Sequence, residues 1–237
     1  MTTSPFPADP RIVLISDPRV GALPVRECGE PLVDCRGRLR VDARRADPAG
    51  HFAYLRAGVA ERLERAEKSL PNSWRWLLIE GYRPPALQQQ IFDGYATTLR
   101  KLDPGADEER IRTAASRWCA PAETAGHVAG AAIDLTVCTR DGAEIDMGSP
   151  EAATPEKSGG ACYTHAPGLS ERARENRAIM TEALSSAGMV NYPTEWWHWS
   201  YGDRYWAWST AAPAAAYGPV PEPHTDPHAC SPEAGEQ

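Results

Sequence analysis

Ala131-Ala132-Ile133-Asp134-Leu135-Thr136-Val137-Cys138, followed by Thr139-Arg140-Asp141-Gly142, is the stretch that decides the fold class. Ile133, Leu135 and Val137 fall on one face of an extended chain, and Ala132, Asp134 and Thr136 on the other. That two-residue period predicts a strand over 131–138. Asp141-Gly142 supplies residues that tolerate the positive φ of a tight hairpin turn, so residues 143–147 are expected to return as a second, antiparallel strand.

Downstream, residues 148–169 are rich in Gly, Pro, Ser and Thr and read as a long loop, of the kind that covers a site. Ser170 is an expected helix cap, the helix running to about 187 and stopping at Gly188. Strands are expected at 194–201 and 204–208. Upstream, residues 11–16 form a short apolar run expected as a strand, and residues 76–80 a core strand. Phe52, Leu55, Val59, Leu63 and Ala66 carry helical spacing over 52–70. Pro84-Pro85 opens a second helix with Leu87, Ile91, Tyr95 and Leu99 on one face, Pro being suited to a first turn. Residues 107–118 are a shorter, polar helix. Strands and helices in separate runs, with a hairpin among them, mark the chain as α+β.

A chain of 237 residues is long enough to bury a core without covalent staples, and is read as one domain over 11–210 between tails at 1–10 and 211–237. The second tail, with Ala-Ala-Pro-Ala-Ala-Ala, then Gly-Pro-Val-Pro-Glu-Pro and a polar end, buries too little to offset its ordering entropy. His224 and His228 are four apart within it, but Pro223 and Pro227 exclude the helix that would make them a metal pair. Lys and Arg number 25 against 32 Asp and Glu, without a basic stripe, so nucleic acid is not an expected partner. No apolar run reaches membrane-spanning length, and the first residues lack the charged and apolar regions of a secretion signal. A cytoplasmic protein with reduced cysteines is therefore expected; Cys28 and Cys35 are spaced so that they could bridge a loop.

Two segments carry chemistry. His127-Val128-Ala129-Gly130-Ala131-Ala132-Ile133-Asp134 and Glu195-Trp196-Trp197-His198-Trp199 together offer two imidazoles, a carboxylate ligand and a further carboxylate. Those are the parts of a catalytic zinc site: three protein ligands (His127, Asp134, His198), one open position, and Glu195 to take a proton from water. Taken singly, each residue is an ordinary hydrogen-bonded side chain. Residues three or seven apart point to opposite faces of a regular strand, so the site demands a bulge or strand end near Glu195 and a bend at Gly130. A third segment, Glu80-Gly81-Tyr82-Arg83-Pro84-Pro85, places a guanidinium at a strand–helix junction, where it could stabilise an oxyanion or pair with a surface carboxylate. His165 is expected near the substrate rather than as a ligand, and His51 as structural.

The three segments together resemble the D-alanyl-D-alanine dipeptidases, related to the bacterial D,D-carboxypeptidases. The family pattern is G-Y-R-P, then S-x-H-x-x-G-x-A-x-D, then E-x-W-H. Its counterparts are Gly81-Tyr82-Arg83-Pro84, then His127, Gly130, Ala132 and Asp134, then Glu195-Trp196-Trp197-His198, with Asp146-Met147-Gly148 after the hairpin. The resemblance spans about residues 11–210. It implies a small antiparallel sheet flanked by helices and one Zn²⁺ per chain on His127, Asp134 and His198. It also implies Glu195 as base, Arg83 as transition-state stabiliser, and a free dipeptide as substrate. Two positions depart from it. Ala125 stands where the pattern has Ser, and the acidic residue expected soon after Gly148 is replaced by Ser149-Pro150-Glu151, with Glu156 further on. Both bear on which substrate is held.

The reading that follows is a zinc dipeptidase hydrolysing D-Ala-D-Ala or a close relative. Its alternatives are a carboxypeptidase or amidase on cell-wall peptides or a specialised metabolite, and a zinc-binding module without catalysis. Retention of both Glu195 and Arg83 argues against the last. Oligomeric state is left open.

Overall fold

The computed structural model describes residue 9 and residues 11–221. In chain order the strands are β1 (Leu32–Asp34), β2 (Arg40–Val41), β3 (Tyr54–Arg56), β4 (Trp74–Glu80), β5 (Ala132–Thr139), β6 (Val190–Asn191) and β7 (His198–Ser200). The helices are α1 (Pro18–Gly21), α2 (Ala57–Glu67), α3 (Pro85–Leu102), α4 (Glu108–Ala115), α5 (Pro155–Ser158), α6 (Glu171–Ser186) and α7 (Arg204–Ser209). A five-stranded sheet in the order β2-β4-β5-β7-β6 is antiparallel except for the short β2–β4 edge pair, and β1 and β3 form a separate antiparallel ribbon. The molecule is α+β, a small and mainly antiparallel sheet flanked by helices.

The alternation read in β5 sorts its two faces. Ile133, Leu135 and Val137 enter one core cluster with Leu63 of α2, Trp76 and Leu78 of β4, and Met180 and Leu184 of α6. Burying each large apolar side chain there stabilises the fold by about 1.5–3 kcal/mol. Trp76 and Trp199, fully buried, satisfy their indole N–H groups on the carbonyls of Leu63 (3.0 Å) and Trp196 (3.1 Å). The opposite face of β5 carries Asp134 and Thr136 and is left for chemistry. A second cluster, including Phe92, Tyr95, Leu99, Ile111 and Ala115, locks α3 to α4.

Caps mark the helix starts. Asp107 accepts from Arg110 N (2.8 Å), Ser170 accepts from Ala173 N (3.1 Å), and Pro85 occupies the first turn of α3. Other expectations are corrected. Residues 11–16 are not a strand: the backbone turns, Ile15 N donates to Tyr192 Oη, and Leu14 and Ile15 pack beside Val20 and Tyr205. The helix expected over 52–70 begins only at Ala57, because Tyr54–Arg56 pairs with β1; Leu55 is buried in either conformation, which is why the spacing misled. Residues 143–147 make a single bridge, Cys138 to Glu144, flanked by hydrogen bonds to Thr139 and Val137, rather than a full strand. The strand expected over 194–201 shrinks to β7. Residues 204–208 are helical, since Asp203 caps α7 through Trp206 N (2.7 Å); an aromatic run imitates strand composition.

Packing also continues past residue 210. Ala215 bridges Val25, buried Tyr217 donates to Glu30 Oε2 (2.8 Å), and Val220 N donates to Val128 O (2.8 Å). His224, His228 and Cys230 lie outside the described residues. Cys28, Cys35, Cys119, Cys138 and Cys162 are free thiols, so no Cys28–Cys35 bridge forms. Among the described residues, no helix is long and apolar enough to cross a membrane.

Candidate metal centre

Strand register builds one side of the site. Glu80 of β4 pairs with Asp134 of β5, and Asp134 pairs with His198 of β7. Directly opposed residues share a face, so these three side chains stand in one row. A register shift between Leu78 and Glu80 puts Glu80 into that row; without it Ile79 would face Asp134. His198 is the first residue of β7, and the preceding turn, closed by His198 N on Glu195 O (3.2 Å), brings Glu195 round to the same side. Gly130 makes the other bend. It ends the tight 3-10 turn Gly126–Ala129 at φ +63°, and a Cβ there would lie 2.3 Å from Leu32 Cδ2. The strand end and the bend demanded by the sequence are both present.

His127 Nε2 lies 3.5 Å from Asp134 Oδ1, His198 Nδ1 lies 3.0 Å from the same oxygen, and the three donor atoms fall within 4.8 Å of one another. Ligands of a tetrahedral zinc at bond lengths of about 2.0–2.1 Å are separated by about 3.3 Å, a value that the two His–Asp134 spacings bracket. The donor set fits as well. His127 Nδ1 sits 2.7 Å from Gly81 O, which can only accept, so the proton belongs on Nδ1 and the Nε2 lone pair faces the site. His127, Asp134, His198, Glu195 and Arg83 are all more than nine-tenths buried around a small cavity.

The two carboxyls of this cavity are driven apart. Burial would raise the Asp134 carboxyl, but His127 first and His198 with it outweigh burial and hold it well below the usual carboxylate range. Burial raises Glu195 well above that range and Asp134 adds to the effect, against the pull of Arg83. Glu195 Oε2 lies 3.8 Å from His198 Nδ1. A metal ligand needs the ionised form and a general base an elevated proton affinity, which is the division seen here.

Arg83 pairs not with a surface carboxylate but with buried Glu80. Its Nε and Nη2 donate to the two Glu80 oxygens (2.7 and 2.6 Å), and Nη1 donates to Gln88 Oε1 (2.7 Å). Burial opposes its charge, yet Glu80 more than compensates and Arg83 is held firmly cationic. Three of the roughly five N–H donors of a guanidinium are thus engaged and the rest are available at the cavity wall.

Sequence reasoning missed Glu80 and Gln88 as the clamp on Arg83, and named Glu151 after Gly148 without giving it a role. The Glu151 side chain is buried, its Oε1 has no hydrogen-bond partner, and Arg45 approaches only to 3.7 Å. Burial, with Asp134 adding to it, pushes its carboxyl up to about 7, and it in turn raises Glu195. The signal existed: Glu151 follows Gly148 by three residues. Glu156, the other candidate acid, is taken by Tyr95 Oη (2.6 Å) and Arg117. Ala125 is buried immediately before the His127 turn and offers no polar group. His165 is exposed and faces a different cavity, with Arg174 and Arg177, so it is not near the site. His51 is buried edge-on to Tyr82 with Nδ1 3.4 Å from Asp47, a structural placement.

Comparison with known proteins identifies the family. Residues 53–216 match the peptidase M15 family, described as D-ala-D-ala dipeptidase. The D-alanyl-D-alanine dipeptidase of Synechocystis is 30% identical over 217 residues, covering 79% of this chain and 88% of that protein. The Enterococcus faecium D-alanyl-D-alanine dipeptidase is 30% identical over 149 residues, covering 62% and 72%. A vancomycin-resistance D,D-pentapeptidase, VanY, solved with Zn(II), covers 68% of this chain and 82% of that one at 16% identity and a TM-score of 0.40, too distant to add to the assignment. Matched over most of its length by the family and by a relative of nearly the same extent, the chain belongs to the D-Ala-D-Ala dipeptidase family of peptidases and is a metallopeptidase of that type.

Proposed function

We propose that the protein is a zinc dipeptidase that hydrolyses D-alanyl-D-alanine or a closely related small dipeptide. The observation that carries this reading is the convergence of His127 Nε2, Asp134 Oδ1 and His198 Nδ1 beside the buried Glu195 carboxyl in one small buried cavity. A zinc ion on those three ligands would act as a Lewis acid, acidifying the attacking water and polarising the scissile carbonyl. Glu195 takes the proton of that water and delivers it to the leaving amine. Arg83, held cationic by Glu80 and Gln88, faces the negative charge that develops on the carbonyl oxygen. Glu151 is the acid available to receive the substrate's ammonium group, its Oε1, which accepts no hydrogen bond and has Arg45 only at 3.7 Å, supplying the acceptor.

Family membership, a confined cavity and a buried carboxylate without a hydrogen bond on Oε1 all favour a short substrate with an unblocked amine. Ala125, in place of the hydroxyl of the family pattern, favours a second reading in which the amine pocket is altered and blocked or longer peptides are cleaved. One assay separates the two: release of D-Ala from D-Ala-D-Ala, L-Ala-D-Ala, L-Ala-L-Ala, N-acetyl-D-Ala-D-Ala and a pentapeptide, by zinc-loaded and chelator-treated protein. The expected result is chelator-sensitive cleavage of D-Ala-D-Ala with the blocked and longer substrates untouched. Equal cleavage of the N-acetylated dipeptide supports the second reading, and no metal-dependent cleavage of any peptide refutes both.

A further inference from the structure

Glu195 and His198 are three residues apart on a chain that would point them to opposite faces if it were regular strand. Something has to hold the turn that reconciles them. We infer that Asn191, at the end of β6, is the positioning residue that sets the general base and the metal ligand relative to each other. Its Nδ2 donates to the carbonyl oxygens of both Glu195 (3.0 Å) and His198 (3.0 Å), so both amide hydrogens are spent on the two residues that matter. Carbonyls only accept, which leaves one orientation for the amide, with Oδ1 turned the other way. There Oδ1 accepts from Thr164 Oγ1.

Thr164 is itself anchored. It is buried, its N donates to Pro193 O (3.0 Å), and its carbonyl accepts from Arg177 Nη1 (3.2 Å). Arg177 also binds the carbonyls of Met147, Ala161 and Tyr163. The chain of contacts Arg177–Thr164–Asn191 therefore ties the long 148–169 segment to the turn carrying Glu195 and His198. Asn191 touches neither the cavity nor the ligand atoms, and its influence passes through the two backbones it holds.

The inference rests on the metallopeptidase reading, and its test has readouts other than turnover. Asn191→Asp is nearly isosteric but sets an acceptor against two acceptors; Asn191→Ala removes the contact; Thr164→Val removes only the hydroxyl that orients the amide. Each is compared with the full-length parent by kcat and KM on the cleaved dipeptide, metal affinity in chelator competition, the d–d absorption of the Co²⁺-substituted protein, and thermal unfolding. Misplacing a base or ligand by about 1 Å costs up to about 100-fold in rate, so Asn191→Asp is expected to lower kcat about 100-fold with KM changed less than about 3-fold. Loss of such a supporting partner weakens metal affinity about 10–100-fold, and the cobalt bands should shift with it. Thr164→Val should move the same quantities in the same direction by less.

Folded Asn191 variants with parental kcat and unshifted cobalt bands overturn the inference, as does lowered thermal stability with those two readouts unchanged. Should the Asn191 variants not fold, Thr164→Val decides: parental kcat and cobalt spectrum overturn the inference. Should the parent bind cobalt but cleave no dipeptide, the dipeptidase reading fails while the cobalt spectra still decide on Asn191. A parent that binds no metal overturns both.

Discussion

Asp134 and Glu195 are the same chemistry in two environments, and their different proton affinities suit them to the two tasks proposed for them. Glu195→Gln keeps size and polarity and removes the acceptor of the proton. It should retain metal while kcat falls by about 10³-fold, within the range general-base removal produces, and single-turnover kinetics with metal analysis check both halves. His198→Ala should instead lose the metal, which the same analysis reads directly. Glu151 makes a pH prediction. Its carboxyl titrates near 7 because burial disfavours the charged form, with Asp134 adding to the effect. Only the ionised form attracts an ammonium group, so KM should climb as pH falls below about 7 and level off above it. Glu151→Gln should give a high KM without that limb; a limb that persists in the variant would remove Glu151 from amine recognition.

The elements that place these side chains were legible unevenly. Helices with chemical punctuation, Pro85 for α3, Asp107 for α4, and Ser170 with Gly188 for α6, were readable because caps are local hydrogen bonds. Strand β5 was readable because one face is core and the other is not. The 54–56 and 204–208 segments were misread because their composition suits either state and a partner settled the matter: β1 for the first, the Asp203 cap for the second. Gly130 tests the element that joins the two ends of the first motif. Gly130→Ala forces a Cβ at positive φ against Leu32 and should cost at least about 1–2 kcal/mol from the backbone conformation alone. A thermal melt reads the loss, and metal affinity should fall with it because His127 and Asp134 lie on either side of the bend.

For the molecule as a whole, a metal that binds only the folded state adds to its stability by mass action. At free zinc about 100-fold above its dissociation constant the gain is about 2.7 kcal/mol. In a domain of this size that raises Tm by roughly 5–10 °C. A chelator should therefore lower Tm by that amount, and an unchanged Tm would show that the three ligands are not occupied together. A second prediction concerns the C-terminal boundary. Truncation after residue 210 removes Tyr217 from the core, and with it the Ala215–Val25 bridge and the Val220–Val128 and Tyr82–Val220 hydrogen bonds. The shortened protein should unfold at lower temperature than the full chain.

Reading residues in order was enough to name the side chains that the fold gathers around one cavity (two imidazoles, two carboxylates and an arginine) and to expect one polar face on the strand bearing Asp134. Those are properties of residue type and short-range periodicity, and they survive without knowledge of neighbours. What lay beyond reach depends on contacts between segments distant in the chain. The β4 register shift that turns Glu80 toward Asp134 exists only when β4 and β5 pair, and the clamp on Arg83 depends on Glu80 being so turned. The elevated carboxyls of Glu195 and Glu151 exist only once folding has removed water and set Asp134 near them. Proton affinity, unlike residue identity, belongs to the surroundings that the folded chain creates.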